Sequence, residues 1–284
     1  MTRHIPADLL EIVEAVLPGT PLRSARLAAH GNIHDVVLLP GTAAVRISRR
    51  QSAVEAMPRR MRLLQAVAGA GLPFAVPEPL TPVMTFGERA AVAVSWVGGA
   101  GLPEGKGDPE RIGELLRALR EVPLTLELRT ELDGSGGSDG WADLLERDVL
   151  PRLPGKWRTE GRDRLDRARA LEPVAGALVH ADLGAENVHW DQDGRLVGVL
   201  DWDLALVFDP AIDAACMAWH GWENVRGAVD DATYRRARVW DALFGVEHLV
   251  AALSGRPLAN VDSYVTHVVA WLERNGVAGP KESS

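Results

Sequence analysis

The sequence predicts an α+β fold of two unequal lobes, a small N-terminal lobe built on an antiparallel sheet and a larger, mainly helical C-terminal lobe. Three observations lead there. The β-rich apolar runs gather before residue 97, the patterns beyond it are mostly helical, and 284 residues exceed what one ordinary domain needs. The division is drawn at residue 97, giving lobes 1–97 and 98–284.

Along the chain, Leu9, Leu10, Ile12, Val13, Val16 and Leu17 recur at helical spacing until Pro18-Gly19 stops them. Residues 36–39 and 44–47 are β-rich runs around the turn Pro40-Gly41-Thr42, a hairpin that follows the loop His30-Gly31-Asn32. Residues 53–70 return to helical spacing through Leu63, Leu64 and Val67, and 90–97 reads as a buried strand ending at Gly98-Gly99. Helices are predicted over 108–122, with Pro109 in the first turn, and over 141–150 and 159–171. The glycine- and serine-rich stretch 133–140 between them is expected to be a mobile loop. Two short strands, 187–190 and 195–200, flank Asp191-Gln192-Asp193-Gly194, whose Asp-Gly pair signals a hairpin in the C-terminal lobe. Asp209-Pro210 opens another helix, Asp as cap and Pro in the first position, and 230–271 is helical.

Composition narrows the function. At 46% hydrophobic and 25% charged the chain is an ordinary globular protein, which excludes global disorder. Thirty-nine acids against 31 Lys and Arg leave a charge of -8, so a nucleic-acid partner is not expected and a cationic ligand suits the chain better. Cys216 is the single cysteine, so an internal disulfide is excluded. The N-terminus lacks a long apolar run, and every apolar stretch is far short of the roughly 20 residues a bilayer requires, so a cytoplasmic protein without a membrane partner is expected. Lysine occurs at only three positions, none before Lys106, so a cationic role in the first lobe must fall to arginine.

The chemistry concentrates in 179–213, where eight acids stand against one base, Arg195. Such density repels itself unless a cation neutralises it. Asp191 and Asp193 read as solvated turn acids. His180-x-Asp182-x4-Asn187 puts a carboxylate and an amide oxygen on one short loop, a spacing that chance gives about 0.01 times per chain of this composition. The hairpin then returns the chain so that Asp201, at the end of an apolar strand, can join them. Three oxygen ligands suit a hard cation such as Mg²⁺, with water and substrate phosphates completing its octahedron.

These motifs resemble the aminoglycoside phosphotransferases and their small-molecule kinase relatives, proteins of two-lobed, protein-kinase-like fold, over about residues 25–220. His180-Ala-Asp182-Leu-Gly-Ala-Glu-Asn187 resembles that family's catalytic loop, Gly198-Val-Leu-Asp201-Trp its metal-binding strand end, and Asp209-Pro-x-x-Asp213 the helix start that follows. Within the family the texture of DLGAENVHW and GVLDWD is similar to the viomycin and capreomycin phosphotransferases.

The resemblance implies a nucleotide-binding first lobe and a catalytic, substrate-binding second one. Asp182 would orient the acceptor hydroxyl and take its proton, Asn187 and Asp201 would hold Mg²⁺ on the nucleotide phosphates, and His180 and Asp213 would give structural support. Gly31 and Asn32 would present backbone N–H groups to phosphates. Arg46 stands where a kinase lysine is expected, while the place of its partner glutamate falls on Arg60 or Met61, with Glu55 the acid nearby. Ser95 and Val97 match the connector that pairs with the purine of ATP or GTP. Asp143, Trp219 and Glu223 would contact substrate, since a cationic, hydroxylated ligand needs carboxylates and flat apolar walls.

The expected activity is Mg²⁺-dependent transfer of a nucleotide phosphoryl group to a hydroxyl of a cationic antibiotic, an aminoglycoside or a viomycin-type cyclic peptide, by a monomer or weak dimer. Two alternatives stay open. One keeps the fold and phosphorylates a metabolite alcohol such as choline, homoserine or a sugar. The other, suggested by the missing lysine and glutamate, is a catalytically silent nucleotide- or drug-binding protein.

Overall fold

The computed structural model describes residues 4–28, 33–133, 140–184, 186–246, 249 and 261–275. The chain forms two compact units, one of Met1–Gly101 with Val188–Asp203 and one of Leu102–Asn187 with Leu204–Ser284. The first unit therefore runs four residues past the sequence boundary at 97 and takes in the hairpin that the sequence assigns to the C-terminal lobe. The stretch 134–139, the core of the expected mobile loop, lies outside the described residues. Among the described residues no helix is long and apolar enough to cross a membrane.

The first unit opens with α1 (Ala7–Val16), which buries Leu9, Ile12, Val13 and Val16. Its sheet comprises β1 (Arg26–Leu27), β2 (His34–Leu39), β3 (Ala43–Ser48), β4 (Met84–Phe86) and β5 (Arg89–Ser95), in the order β1-β2-β3-β5-β4 with every pair antiparallel. Side chains alternate across a strand. Val37 and Leu39 of β2 and Val45 and Ile47 of β3 therefore face one way, into a core shared with α1. Arg46 falls between Val45 and Ile47 and points to the other face. Between β3 and β5 runs α2 (Gln51–Ala68), whose inward residues are Ala53, Met57, Arg60, Met61, Leu63, Leu64 and Val67. An arginine in that apolar row is the unusual member.

The hairpin β7 (Val188–Trp190) and β8 (Leu196–Val199) turns where the sequence places it, with Gly194 in the left-handed region at φ 73°. Asp191 Oδ1 accepts from the N–H groups of Asp193 and Arg195 at 2.9 and 2.8 Å, so this acid is a turn-former. The hairpin is stitched to the chain around β5. Ala75 exchanges backbone bonds with Val197 and Val199, Ala100 exchanges two with Trp190, and His189 Nδ1 bonds the Gly98 carbonyl at 2.8 Å. Gly198 permits this approach, because a Cβ there would lie 2.5 Å from the Ala75 oxygen.

In the second unit, α3 (Pro109–Glu121) starts on an Asp108 cap that accepts from Glu110 and Arg111 N–H. A second helix, α4 (Leu126–Asp133), precedes α5 (Trp141–Leu144). The predicted helix 141–150 is real but irregular: it widens to a π turn over Leu145–Val149 and tightens to a 3-10 turn over Leu150–Arg152. Pro151 explains the change, since it has no N–H to continue the α ladder. After α6 (Gly155–Arg169), β6 (Ala177–Val179) pairs antiparallel with β9 (Leu206–Phe208). Then come α7 (Ala211–Cys216), α8 (Trp222–Ala228), α9 (Asp231–Ala242) and a final helix Val261–Asn275. Asp209 organises this junction. Its Oδ1 caps Ala211 N–H at 3.0 Å, and its Oδ2 accepts from Trp240 Nε1 at 2.6 Å and Arg236 Nη2 at 2.7 Å. A buried carboxylate with four N–H bonds, one from backbone, one from an indole and two from Arg236, is fully provided for. Trp240 in turn packs edge-on to Trp141 at 5.3 Å and tilts against Phe208 at 5.1 Å.

Candidate active site

The Asp182–Asn187 loop of the second unit follows the buried strand β6 at His180. Three local devices shape it. His180 is fully buried, and its Nδ1 accepts the Asp182 N–H at 3.2 Å. Ala181 is buried in the left-handed region at φ 63°, a conformation that a residue with a Cβ holds only when its surroundings impose it. Asp213, projecting from α7, imposes it by accepting His180 N–H on Oδ2 at 2.9 Å and Ala181 N–H on Oδ1 at 2.8 Å. Burial pushes the Asp213 carboxyl up to about 7, against those two bonds, which favour its charged form. The loop closes at Asn187, whose Nδ2 donates to the Asp182 carbonyl at 2.8 Å and to Asp182 Oδ2 at 3.1 Å. Asp182 is thus a half-buried carboxylate held at its own main chain and side chain by one amide.

The other acidic group belongs to the first unit, where β8 ends. Trp202 is buried and donates its Nε1 to the Val199 carbonyl at 3.0 Å, which pins the chain between Asp201 and Asp203. Asp201 is itself left-handed, at φ 54°. Both carboxylates meet Arg46: its Nη2 lies 2.6 Å from Asp203 Oδ2 and 3.5 Å from Asp201 Oδ1, with side-chain exposures of 12% for Arg46, 13% for Asp203 and 52% for Asp201. Arg60 Nη1 comes within 3.1 Å of the same Asp203 oxygen. His34 Nδ1 stands 3.3 Å from Arg46 Nη2. Burial first, then the Arg46 charge, pushes His34 down to about 4, so its ring is neutral and can accept the guanidinium's hydrogen bond. Burial works against the charges of Arg46 and Asp203, yet each is favoured overall by its partners: Arg46 is raised by the carboxylates and Asp203 held low by the two guanidiniums.

The other sequence-derived positions fall as follows. Gly31 and Asn32 lie outside the described residues. Ser95 is tied to Glu78, its N–H donating to the Glu78 carbonyl at 2.8 Å and its Oγ accepting Glu78 N–H at 2.9 Å, so its polar groups serve the sheet edge. Val97 is buried. Asp143 is 81% exposed and pairs with Arg169 at 3.1 Å. Trp219, 41% exposed, donates its Nε1 to the Leu102 carbonyl at 3.0 Å, and Glu223 is exposed in the first turn of α8. Asp182 and Asn187 are brought together within one unit, while Asp201 belongs to the other.

Sequence reasoning gave no role to Asp203 or His34, and named Arg60 only as a residue standing where a glutamate is expected. The signal for Arg60 was present: it sits three residues after Met57 and four before Leu64, in the buried row of α2, and an inward arginine demands a carboxylate. Asp203 carried no such mark beyond its distance of two residues from Asp201.

A five-stranded antiparallel sheet with a mid-strand arginine, followed by a mainly helical unit with a braced Asp–Asn loop, defines a protein-kinase-like α+β fold. Solved structures agree. The chain matches the GDP complex of aminoglycoside 2'-phosphotransferase-IIIa with a TM-score of 0.74 at 16% identity, covering 94% of this chain and 97% of that one. A macrolide 2'-phosphotransferase type I matches with a TM-score of 0.67 at 21% identity, over 96% and 99% of the two chains. The chain belongs to the APH phosphotransferase enzyme family, whose model matches residues 24–246, and it is accordingly a phosphotransferase. Among curated relatives, viomycin phosphotransferase of Streptomyces vinaceus is 29% identical over 236 residues, 77% of this chain and 81% of the relative.

Proposed function

We propose that this phosphotransferase uses a magnesium–nucleotide complex to phosphorylate a hydroxyl of a cationic antibiotic, with a viomycin- or capreomycin-type cyclic peptide preferred and an aminoglycoside the second choice. The observation that carries the reading is the braced Asp182 loop in a chain of this family whose curated relative acts on viomycin. Structural relatives are recorded with nucleotide and drug together, including streptomycin with ATP at a TM-score of 0.67. A net charge of -8 suits a cationic acceptor.

In this reading Asp182 receives the acceptor hydroxyl, orients its oxygen for attack and takes its proton as the phosphoryl group arrives. Asn187 fixes the direction of that carboxylate through its Nδ2. Arg46 supplies the first unit's positive charge toward the nucleotide phosphates, Gly31 and Asn32 are assigned to the same phosphates, and the connector around Ser95 and Val97 meets the purine of ATP or GTP. Trp219, Glu223 and Asp143 serve the drug as an aromatic wall and two exposed carboxylates. Each proposed ligand is an oxygen donor of the kind a hard cation takes: Asn187 turns its Nδ2 to Asp182, so its amide oxygen is the atom that would meet metal, and Asp201 has a half-exposed carboxylate. Bound there, Mg²⁺ would neutralise charge on the nucleotide's phosphates.

The test is incubation of the full chain with Mg²⁺ and ATP or GTP against viomycin, capreomycin, kanamycin and a panel of choline, homoserine and sugars, each read by mass spectrometry. The expected result is one added phosphate on a cyclic peptide or an aminoglycoside. Phosphate on a metabolite alone would replace the acceptor, and nucleotide binding without any product would favour a silent binding protein.

A further inference from the structure

We propose that Asp203 is the positioning residue for Arg46: seated between the guanidiniums of Arg46 and Arg60, it fixes Arg46 beside Asp201, a task for which α2 offers a cation in place of an acid. The inference rests on the reading of Arg46 and Asp201 as the nucleotide-side groups.

The geometry is one-sided in a way that ordinary packing does not require. A single oxygen, Asp203 Oδ2, takes both Arg46 at 2.6 Å and Arg60 at 3.1 Å. The two arginines come from different elements, β3 and α2, and share this anion, a pairing that offsets the cost of burying a guanidinium. His34 Nδ1, 3.3 Å from Arg46 Nη2, meets the guanidinium as a neutral acceptor, which adds no competing charge. Arg46, Arg60 and Asp203 together carry one net positive charge, and Asp201 balances it. A cation engaging Asp201 would withdraw that balance and leave the positive charge to face phosphates, at an arginine already held in place. Fixed partners of this kind cost no reorganisation when a ligand arrives. Position along the chain adds to the argument. Asp203 and Asp201 flank the buried Trp202, so the residue that anchors Arg46 and the residue that meets the cation share one rigid turn.

The test is calorimetric titration of the full chain with Mg²⁺-ATP and Mg²⁺-GTP, for the wild type, Asp203→Asn, Arg46→Ala and the double variant, alongside melting curves. Asp203→Asn should weaken binding about tenfold, and the double variant should bind no more weakly than Arg46→Ala alone, since both act through one guanidinium. A folded Asp203→Asn that binds nucleotide as the wild type does, or a double variant in which the two losses multiply, would overturn the proposal. If Asp203→Asn does not fold, Asp203→Glu keeps the charge and displaces it, and it should weaken binding several-fold; unchanged binding there overturns the proposal equally. A wild type that binds neither nucleotide sinks the functional reading and this inference with it, whereas the variant outcomes above overturn the inference alone.

Discussion

Around Asp182 the second unit uses neutral donors, whereas around Asp203 the first unit uses charge. Asp182 is held by an amide from Asn187, and its loop by Asp213 through two backbone N–H bonds. Asp203 is held by two guanidiniums. The difference matches what each carboxylate is asked to do in the proposed reaction. The Asn187 amide fixes the direction of the Asp182 carboxylate, which suits a group that is to receive a proton from an incoming hydroxyl. A paired guanidinium locks a carboxylate in its ionised state, which suits a group that positions charge and never titrates.

The largest expected effect is at the neutral end. Asp182→Ala should lower turnover by about 10²–10⁴-fold, the range of a positioned proton acceptor, as read by phosphate incorporation at saturating nucleotide; a wild-type rate would remove Asp182 from the chemistry. At the charged end, Trp202→Ala deletes the buried indole that pins the turn and should cost about 3–5 kcal/mol in chemical denaturation, while a cost near zero would mean the turn is held from elsewhere. Asp213→Ala strips the acceptor from two buried N–H groups and should cost about 1–3 kcal/mol, with Asp213→Asn costing less because it keeps one acceptor. The smallest effect is a pH dependence. His34 falls from 6.5 to about 4 in the fold, so the unfolded chain binds its proton first and the His34 contribution to stability is lost as pH falls from 6.5 toward 4, while Asp213, raised to about 7, contributes in the opposite sense. His34→Gln should remove that contribution, so that between pH 6.5 and 4 the variant's melting temperature falls less, or rises more, than the wild type's; an unchanged slope would take His34 out of the pH dependence.

The sequence made one of these regions more legible than the other, and the reason is range. Asp182 and Asn187 lie five residues apart, and the contact between them is local, so the motif carries it. The turn at Asp191-Gly194 and the cap at Asp209 are local in the same sense. Arg46 and Asp203 are separated by 157 residues, and no pattern near either announces the other. Only the inward position of Arg60 hints that an anion must come to it. Long apolar periodicities, such as α1, α2 and β5, were readable for a similar reason. Strands of two or three residues, β1, β4, β6 and β9, carry too few side chains to show a period and exist because their neighbours pair with them. The hairpin's place illustrates the point best. Its turn was plain in Asp193-Gly194, but its membership of the first unit rests on Ala75, Gly98 and Ala100, which meet it across about a hundred residues of chain.

The division of labour between the two regions is tested most directly by measuring Mg²⁺-ATP dissociation constants for Asp182→Ala and Asp201→Ala side by side. The account predicts that Asp182→Ala binds nucleotide as the wild type does, while Asp201→Ala binds it at least about tenfold more weakly and loses its dependence on magnesium. Equal losses in the two variants, or a loss confined to Asp182→Ala, would contradict it.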